Sequence, residues 1–140
     1  MTSREQASVY WDSSAVLPVL FQDSHSRRAT AAARRADVHL LSSLAWAEVH
    51  AVIARIERER ALATVLVNAA REALERGPWR RVNVSPEWGF APGLSRRWEL
   101  RGADLWHLCA AKTLRVDLPR LKLLTFDARL AAAARGEGLS

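Results

Sequence analysis

Apolar residues recur along this 140-residue chain in two alternating patterns, short β-prone runs and longer segments with helical character. The first pattern predicts strands over residues 8–11, 38–41, 81–84 and 121–126. The second predicts helices over residues 13–21, 25–36, 44–60, 61–75, 103–114 and 128–135. Strands that alternate with helices form a parallel sheet covered on both faces. The sequence therefore predicts an α/β fold, one domain over residues 1–140, with a central, mostly parallel sheet of four or five strands flanked by helices on both faces.

One segment, residues 86–94, fits neither pattern because it contains Pro86, Gly89, Pro92 and Gly93. Proline and glycine disfavour the interior of a helix, so we predict a turn or a broken helix here. Trp88 lies in this stretch, and we expect its ring to be exposed. For the other tryptophans we expect burial in a core or an interface.

Composition limits the class of protein. Hydrophobic residues make up 49% of the chain, yet no apolar run approaches the ~20 residues that span a bilayer, so we expect no membrane segment. The single cysteine, Cys109, has no partner for an internal disulfide and is expected to be a packed core residue, which favours a reducing cytoplasm. The net charge of +6 is compatible with an RNA partner. Only Lys112 and Lys122 among 21 basic residues are lysines, so a genomic preference for arginine explains the charge equally well.

Four acidic residues stand where a shared site is expected. Asp12 and Asp127 each follow a predicted strand, and the carboxyl ends of parallel strands are where ligands bind in α/β sheets. Asp104 lies in the first turn of a predicted helix, and Glu48 borders the apolar stripe of another. Taken singly, the three aspartates are also explained as helix-start residues. Glu48 points either outward or into a polar site.

Carboxylates that gather in one place repel each other, so such a site raises some pKa values or binds a cation. Oxygen ligands without paired cysteine or histidine favour Mg²⁺ or Mn²⁺. An ion of this kind activates water and neutralises charge on a phosphodiester.

Four segments surrounding these acids resemble the signatures of the PIN domain family, and most closely those of VapC-like toxins. They occur in the family's order and span nearly the whole chain: VYWDSSA at 9–15, SSLAWAEV at 42–49, RGADLWHLCAA at 101–111 and LTFDARL at 124–130. The segment 86–94 departs from the family, whose members have an uninterrupted helix before the third acid.

The resemblance implies a Mg²⁺- or Mn²⁺-dependent endoribonuclease that is a homodimer and is inhibited by a cognate antitoxin protein. Asp12, Asp104 and Asp127 take the family's metal-binding positions, and Glu48 completes the site or orients a water. Ser14 and Thr125 match two polar positions of the family beside the acids. The resemblance implies that these two side chains contact metal waters or a carboxylate.

Other polar residues have two explanations each. Arg96, Arg97 and Arg101 approach Asp104 in sequence and either contact RNA or form a solvated surface. His107 follows Asp104 by one helical turn. We expect a buried, hydrogen-bonded structural histidine there rather than a general base.

Two further hypotheses come from other functional classes. One is a catalytically inactive PIN-like module that binds RNA or protein. The other is a phosphoryl-transfer domain such as a response-regulator receiver or an aspartate-nucleophile phosphatase. The phosphatase requires a second aspartate where Ser14 stands, and the receiver's paired acids near the first strand are missing.

Overall fold

The computed structural model describes residues 6–140; residues 1–5, which the one-domain prediction includes, lie outside the described part. The described chain alternates four strands with seven helices. The strands are β1 (Ser8–Trp11), β2 (Val38–Ser42), β3 (Trp79–Val82) and β4 (Leu121–Leu124). The helices are α1 (Ser13–Leu20), α2 (Ser26–Ala33), α3 (Ser43–Arg58), α4 (Thr64–Arg76), α5 (Phe90–Arg97), α6 (Gly102–Arg115) and α7 (Ala128–Gly136).

The four strands form one parallel sheet in the order β3-β2-β1-β4. Trp11, the last residue of β1, pairs with Leu41 on one side and with Leu124 on the other. The carboxyl ends of three strands are therefore level, with β1 between β2 and β4. This arrangement confirms the predicted parallel sheet, with four strands in the described residues.

Helices cover both faces of the sheet, as predicted, because neighbouring residues of a strand point to opposite sides. Tyr10 belongs to a core formed with α5, α6 and α7, whereas Trp11 belongs to a core formed with α1, α3 and α4. Both side chains are fully buried. Cys109 is buried in the first of these cores, as expected.

Four strand boundaries differ from the predicted ones: the end of β2 by one residue, and both ends of β3 and the end of β4 by two residues each. β3 begins two residues early because Trp79 is buried against Trp11, with their ring centroids 5.5 Å apart. β4 ends two residues early because the next backbone amides bond to side chains. Phe126 N donates to Ser14 Oγ, and Asp127 N donates to Thr125 Oγ1.

The segment 86–94 was predicted to be a turn or a broken helix, and the structure places the helix α5 over part of it. Pro92 is the third residue of α5, where a backbone N–H has no intrahelical acceptor to lose. The interruption lies later, where Trp98 and Arg101 are extended between α5 and α6. Trp88, just before α5, is 89% exposed, as expected.

No helix within residues 6–140 combines the length and the apolar character that crossing a bilayer requires.

Candidate active site

Asp12 is buried at the carboxyl end of β1, with only 3% of its surface exposed. Its Oδ1 accepts hydrogen bonds from Ser14 Oγ at 2.8 Å and from Ala15 N at 3.1 Å. Its Oδ2 accepts from Thr125 Oγ1 at 2.6 Å. The bond from Ala15 N makes Asp12 the N-cap of α1. Asp12 therefore caps α1 and also belongs to the candidate site.

Ser14 and Thr125 connect the ends of β1 and β4. Their hydroxyl oxygens lie 3.1 Å apart, and each also accepts a backbone N–H from the segment that follows β4. Both hydroxyl groups donate to the carboxylate of Asp12. The structure thus places these two residues where the resemblance implies, in contact with the first acid.

Asp104 and Asp127 line one cleft of about 410 Å³, together with Arg101 and Arg129. Asp104 lies in the first turn of α6, and Asp127 caps α7 by accepting from Leu130 N at 2.9 Å. Burial raises the pKa of Asp104, and the nearby Asp127 raises it further. The two acids therefore share a region of negative potential.

Glu48 lies on α3 and points into the polar region instead of outward. Its Oε1 lies 2.7 Å from Nε2 of His107, and its charge contributes to the raised pKa of Asp104. His107 is buried and hydrogen-bonded, with Nδ1 2.6 Å from Tyr10 Oη, as expected for a structural histidine. Tyr10 is part of this polar group although sequence reasoning treated it only as a β-prone residue; no periodicity signals that contact.

The electrostatics of the site favour a bound cation. Burial raises the pKa of Asp12, although hydrogen bonds from Thr125 and Ser14 oppose that rise. In residues 6–140 no lysine or arginine forms an ion pair with Asp12, Asp104 or Asp127. Positive charge brought into the site by a ligand would stabilise the ionised carboxylates.

The donor set fits a hard divalent ion, although the ligands are not preassembled. Within the described residues, no group of three or more histidine, cysteine, aspartate or glutamate side chains is arranged to hold a metal ion. The oxygens of Asp12 are occupied by hydroxyl groups, and Asp127 Oδ1 caps a helix. The carboxylate oxygens of Asp104 and Asp127 in the cleft are ligands that suit Mg²⁺ or Mn²⁺. Asp12 Oδ2 and Asp127 Oδ1 each accept one hydrogen bond within the described residues, and a carboxylate oxygen has a second lone pair with which to bind an ion.

The three arginines singled out in the sequence have different surroundings. Arg101 lines the cleft with Asp104 and Asp127. Arg97 forms an ion pair with Glu137 at the end of α7, and Arg96 is exposed on α5. Arg129, which lines the cleft, was not singled out, although it stands two residues after Asp127 in the sequence.

Comparisons with known proteins identify the family of this chain. A PIN domain family model matches residues 9–136. Two ribonucleases of Mycobacterium tuberculosis, VapC45 and VapC49, are each 34% identical over 136 residues, covering 93% of this chain and 91% of the relative.

Two solved structures share the fold. PAE2754 from Pyrobaculum aerophilum superposes with a TM-score of 0.61 at 14% identity, covering 93% of this chain and 81% of that one. VapC20 of Mycobacterium tuberculosis, described as a sarcin-ricin loop cleaving toxin, superposes with a TM-score of 0.57 at 16% identity, covering 89% and 94%. The fold, the family match and the curated relatives agree, and the chain belongs to the PIN domain family, among its VapC-like ribonucleases.

Proposed function

We propose that this protein is a Mg²⁺- or Mn²⁺-dependent endoribonuclease that hydrolyses RNA phosphodiester bonds with a metal-activated water. The observation that carries the proposal is the set of acids from four elements at the carboxyl edge of the sheet, three of which form no ion pair with lysine or arginine among residues 6–140. RNA as the substrate is supported by the two curated relatives that are named ribonucleases.

Each residue has a distinct role in this proposal. Asp12, Asp104 and Asp127 hold the ion, which when bound makes its water more acidic and neutralises charge on the phosphodiester. Ser14 and Thr125 fix the orientation of the Asp12 carboxylate through the hydrogen bonds they donate. Glu48 orients the attacking water. These six residues form the proposed catalytic group.

Arg101 and Arg129 on the wall of the cleft contact the RNA backbone, which positions the scissile phosphate without reading sequence. Arg96, which is exposed on α5, is a further candidate for contact with the RNA backbone. Arg97 is the weakest of the arginines for RNA contact because its guanidinium is engaged with Glu137.

We further propose that the protein acts in the cytoplasm as the toxin of a toxin–antitoxin pair, as a homodimer held inactive by a small cognate antitoxin. The support is the likeness to ribonucleases with VapC names. Induced expression in a bacterial host is expected to arrest growth, and the Asp12→Asn protein at equal abundance is not.

The direct test is cleavage of RNA by the purified protein with Mg²⁺ or Mn²⁺ and with EDTA. Asp12→Asn and Asp104→Asn are each expected to lower kcat at least 100-fold, as loss of a key electrostatic group commonly does. Asp117→Asn, an exposed aspartate just beyond α6, is the matched control and is expected to keep full activity. Equal activity in all four proteins would contradict the proposal.

A second candidate, a catalytically inactive PIN-like module that binds RNA or protein, is favoured by one observation. No metal-binding group is preassembled within the described residues. RNA binding that needs no metal and leads to no cleavage would support this alternative.

A further inference from the structure

A buried chain of hydrogen bonds ends at Glu48. The Tyr10 hydroxyl donates to Ser42 Oγ at 3.0 Å, and Ser42 Oγ also accepts from Ala45 N as the N-cap of α3. Tyr10 Oη lies 2.6 Å from His107 Nδ1, and His107 Nε2 lies 2.7 Å from Glu48 Oε1. This hydrogen-bond relay joins residues of β2, β1, α6 and α3, so it links Glu48 to the sheet.

The arrangement of protons fixes the orientation of the His107 ring. Tyr10 has one proton and directs it to Ser42, so its oxygen accepts from His107 Nδ1–H. A phenol is protonated at neutral pH, so this proton stays on Tyr10. The ring also makes edge contacts with the rings of Tyr10 and Trp106, each at 5.6 Å between centroids. An ionised carboxylate only accepts hydrogen bonds, so Nε2–H donates to Glu48 Oε1 and the ring donates from both of its nitrogens.

The two ends of this relay differ in how far they are buried. Tyr10 and Ser42 are fully buried, and His107 is 1% exposed, whereas the Glu48 side chain is 28% exposed. Within residues 6–140, Glu48 Oε2 accepts no hydrogen bond, because the one bond to this carboxylate is to Oε1. The relay therefore holds one oxygen of Glu48 and leaves the other without a protein partner near Asp104.

We propose that His107 is a positioning residue that holds Glu48 through the Ser42–Tyr10–His107 relay, so that the free carboxylate oxygen contacts the attacking water. The catalytic part of this inference rests on the proposed nuclease function. His107 is buried and does not touch RNA, so its effect on cleavage passes through Glu48.

A matched pair of variants tests the role. His107→Gln places an amide nitrogen near the position of Nε2 and keeps the bond to Glu48, whereas His107→Asn reaches only the position of Nδ1. We expect His107→Asn to lower kcat about 10- to 100-fold, the usual effect of losing a group that orients an active-site ligand. KM for RNA is expected to stay unchanged, and His107→Gln to recover most of kcat. Tyr10→Phe, which removes only the hydroxyl, tests the relay in a second way if His107→Asn folds poorly.

A double-mutant cycle separates positioning from general damage. In a Glu48→Gln background, His107→Asn is expected to cause no further loss of kcat. The affinity for Mn²⁺, followed by electron paramagnetic resonance, is expected to be the same for His107→Asn and the wild type, since the aspartates hold the ion. Independent losses of kcat in the two backgrounds would overturn the inference, as would full activity of His107→Asn.

A readout without cleavage completes the test. In the metal-free protein, the His107 ring N–H signals in ¹H–¹⁵N spectra are expected to be protected from exchange and to shift in Glu48→Gln. Absence of that shift would overturn the relay. A wild type that cleaves no RNA with either ion would contradict the proposed function instead, so the two failures are distinguishable.

Discussion

Asp12 shows how a single residue serves both the fold and the candidate site. It caps α1 and accepts two hydroxyl bonds, yet its carboxylate is 3% exposed and has no lysine or arginine partner in the described chain. Three hydrogen bonds only partly offset the loss of hydration of a buried charge. In the absence of metal, this residue therefore lowers the stability of the protein.

We expect Asp12→Asn to raise the free energy of unfolding of the metal-free protein at pH 7.5 by about 1 kcal/mol. Burial raises the pKa of Asp12 in the folded state, so the penalty is full above that pKa. It disappears as pH falls below the value for the unfolded chain, where both states are protonated. Urea unfolding in EDTA at pH 7.5 and pH 4 measures the difference, and an Asp12→Asn protein less stable than the wild type at pH 7.5 would contradict it.

Metal is expected to reverse this penalty. Mn²⁺ at about 100 times its Kd stabilises the folded state by about 2.7 kcal/mol if it binds only that state. Differential scanning calorimetry is expected to show a higher Tm with Mn²⁺ for the wild type and for Asp117→Asn, and a much smaller shift for Asp12→Asn and Asp104→Asn. An equal shift in all four proteins would place the ion elsewhere.

At the scale of single residues, the sequence predicts the identity of the site acids more reliably than it predicts the contacts of each acid. The positions of Asp12 and Asp127 follow from strand ends alone. The contact between Glu48 and His107 joins residues 59 apart, and Tyr10 contacts His107 across 97 residues. No local pattern encodes such pairs, since they arise only when the elements pack.

Helix α5 is the element whose formation the sequence least indicated. Gly93 lies inside it, and a Cβ added there meets no atom within 4 Å. Gly136, at the end of α7, is the opposite case, because an added Cβ would overlap the Trp98 ring. The two glycines have different reasons for being in helices, and only the second is required by packing.

Gly93→Ala is expected to raise the free energy of unfolding by about 0.5–1 kcal/mol, because alanine reduces the freedom of the unfolded chain. Gly136→Ala is expected to lower it by about 1–3 kcal/mol through overpacking against Trp98. Chemical denaturation measures both, and each variant serves as the control for the other. A stabilising Gly136→Ala would show that Trp98 moves freely.

Glu137, at the end of α7, connects this helix to α5 and α6. Burial tends to raise its pKa, but Lys112, Trp98 and Arg97 donate to its carboxylate and lower the pKa to about 2. A carboxyl whose pKa is lower in the folded state than in the unfolded state stabilises the fold at pH values above its ordinary pKa of 4.5. That contribution to stability is lost as the pH falls towards 2.

We therefore expect Glu137→Gln to lower the free energy of unfolding at pH 7 by about 2 kcal/mol. The difference from wild type is expected to shrink between pH 4.5 and pH 2, because the carboxyl of the unfolded wild-type chain takes up its proton in this range. Urea denaturation across this range measures it, with Glu99→Gln, whose side chain is 90% exposed, as the control. A difference independent of pH would contradict the ion-pair explanation.

The whole molecule has a net positive charge, and arginine side chains lie beside the acids in its cleft. The net charge is +6, while Asp104 and Asp127 share their cleft with Arg101 and Arg129. Such a layout attracts a polyanion broadly and leaves the centre dependent on a cation. The parallel sheet and the helices on both of its faces followed from hydrophobic pattern and general topology, whereas the order of the strands and the presence of Arg129 in the cleft did not.

RNA affinity is expected to fall as salt rises, because binding releases counterions from the RNA. In the inactive Asp12→Asn protein, Arg129→Ala should reduce the slope of log Kd against log salt by about 0.7, the value for one phosphate contact on a single strand. Fluorescence anisotropy with labelled RNA measures the slope. Arg71→Ala, whose guanidinium pairs with Glu57, is the control and is expected to leave the slope unchanged.

The exposed ring of Trp88 has a practical consequence for optical studies. Of the six tryptophans, Trp11 and Trp79 are buried, three are partly buried, and Trp88 alone is almost fully hydrated. Its emission is expected to lie furthest to the red and to be quenched first by acrylamide. Collisional quenching thus isolates one natural fluorophore beside α5, and a ligand or partner that covers this part of the surface will be visible without any label.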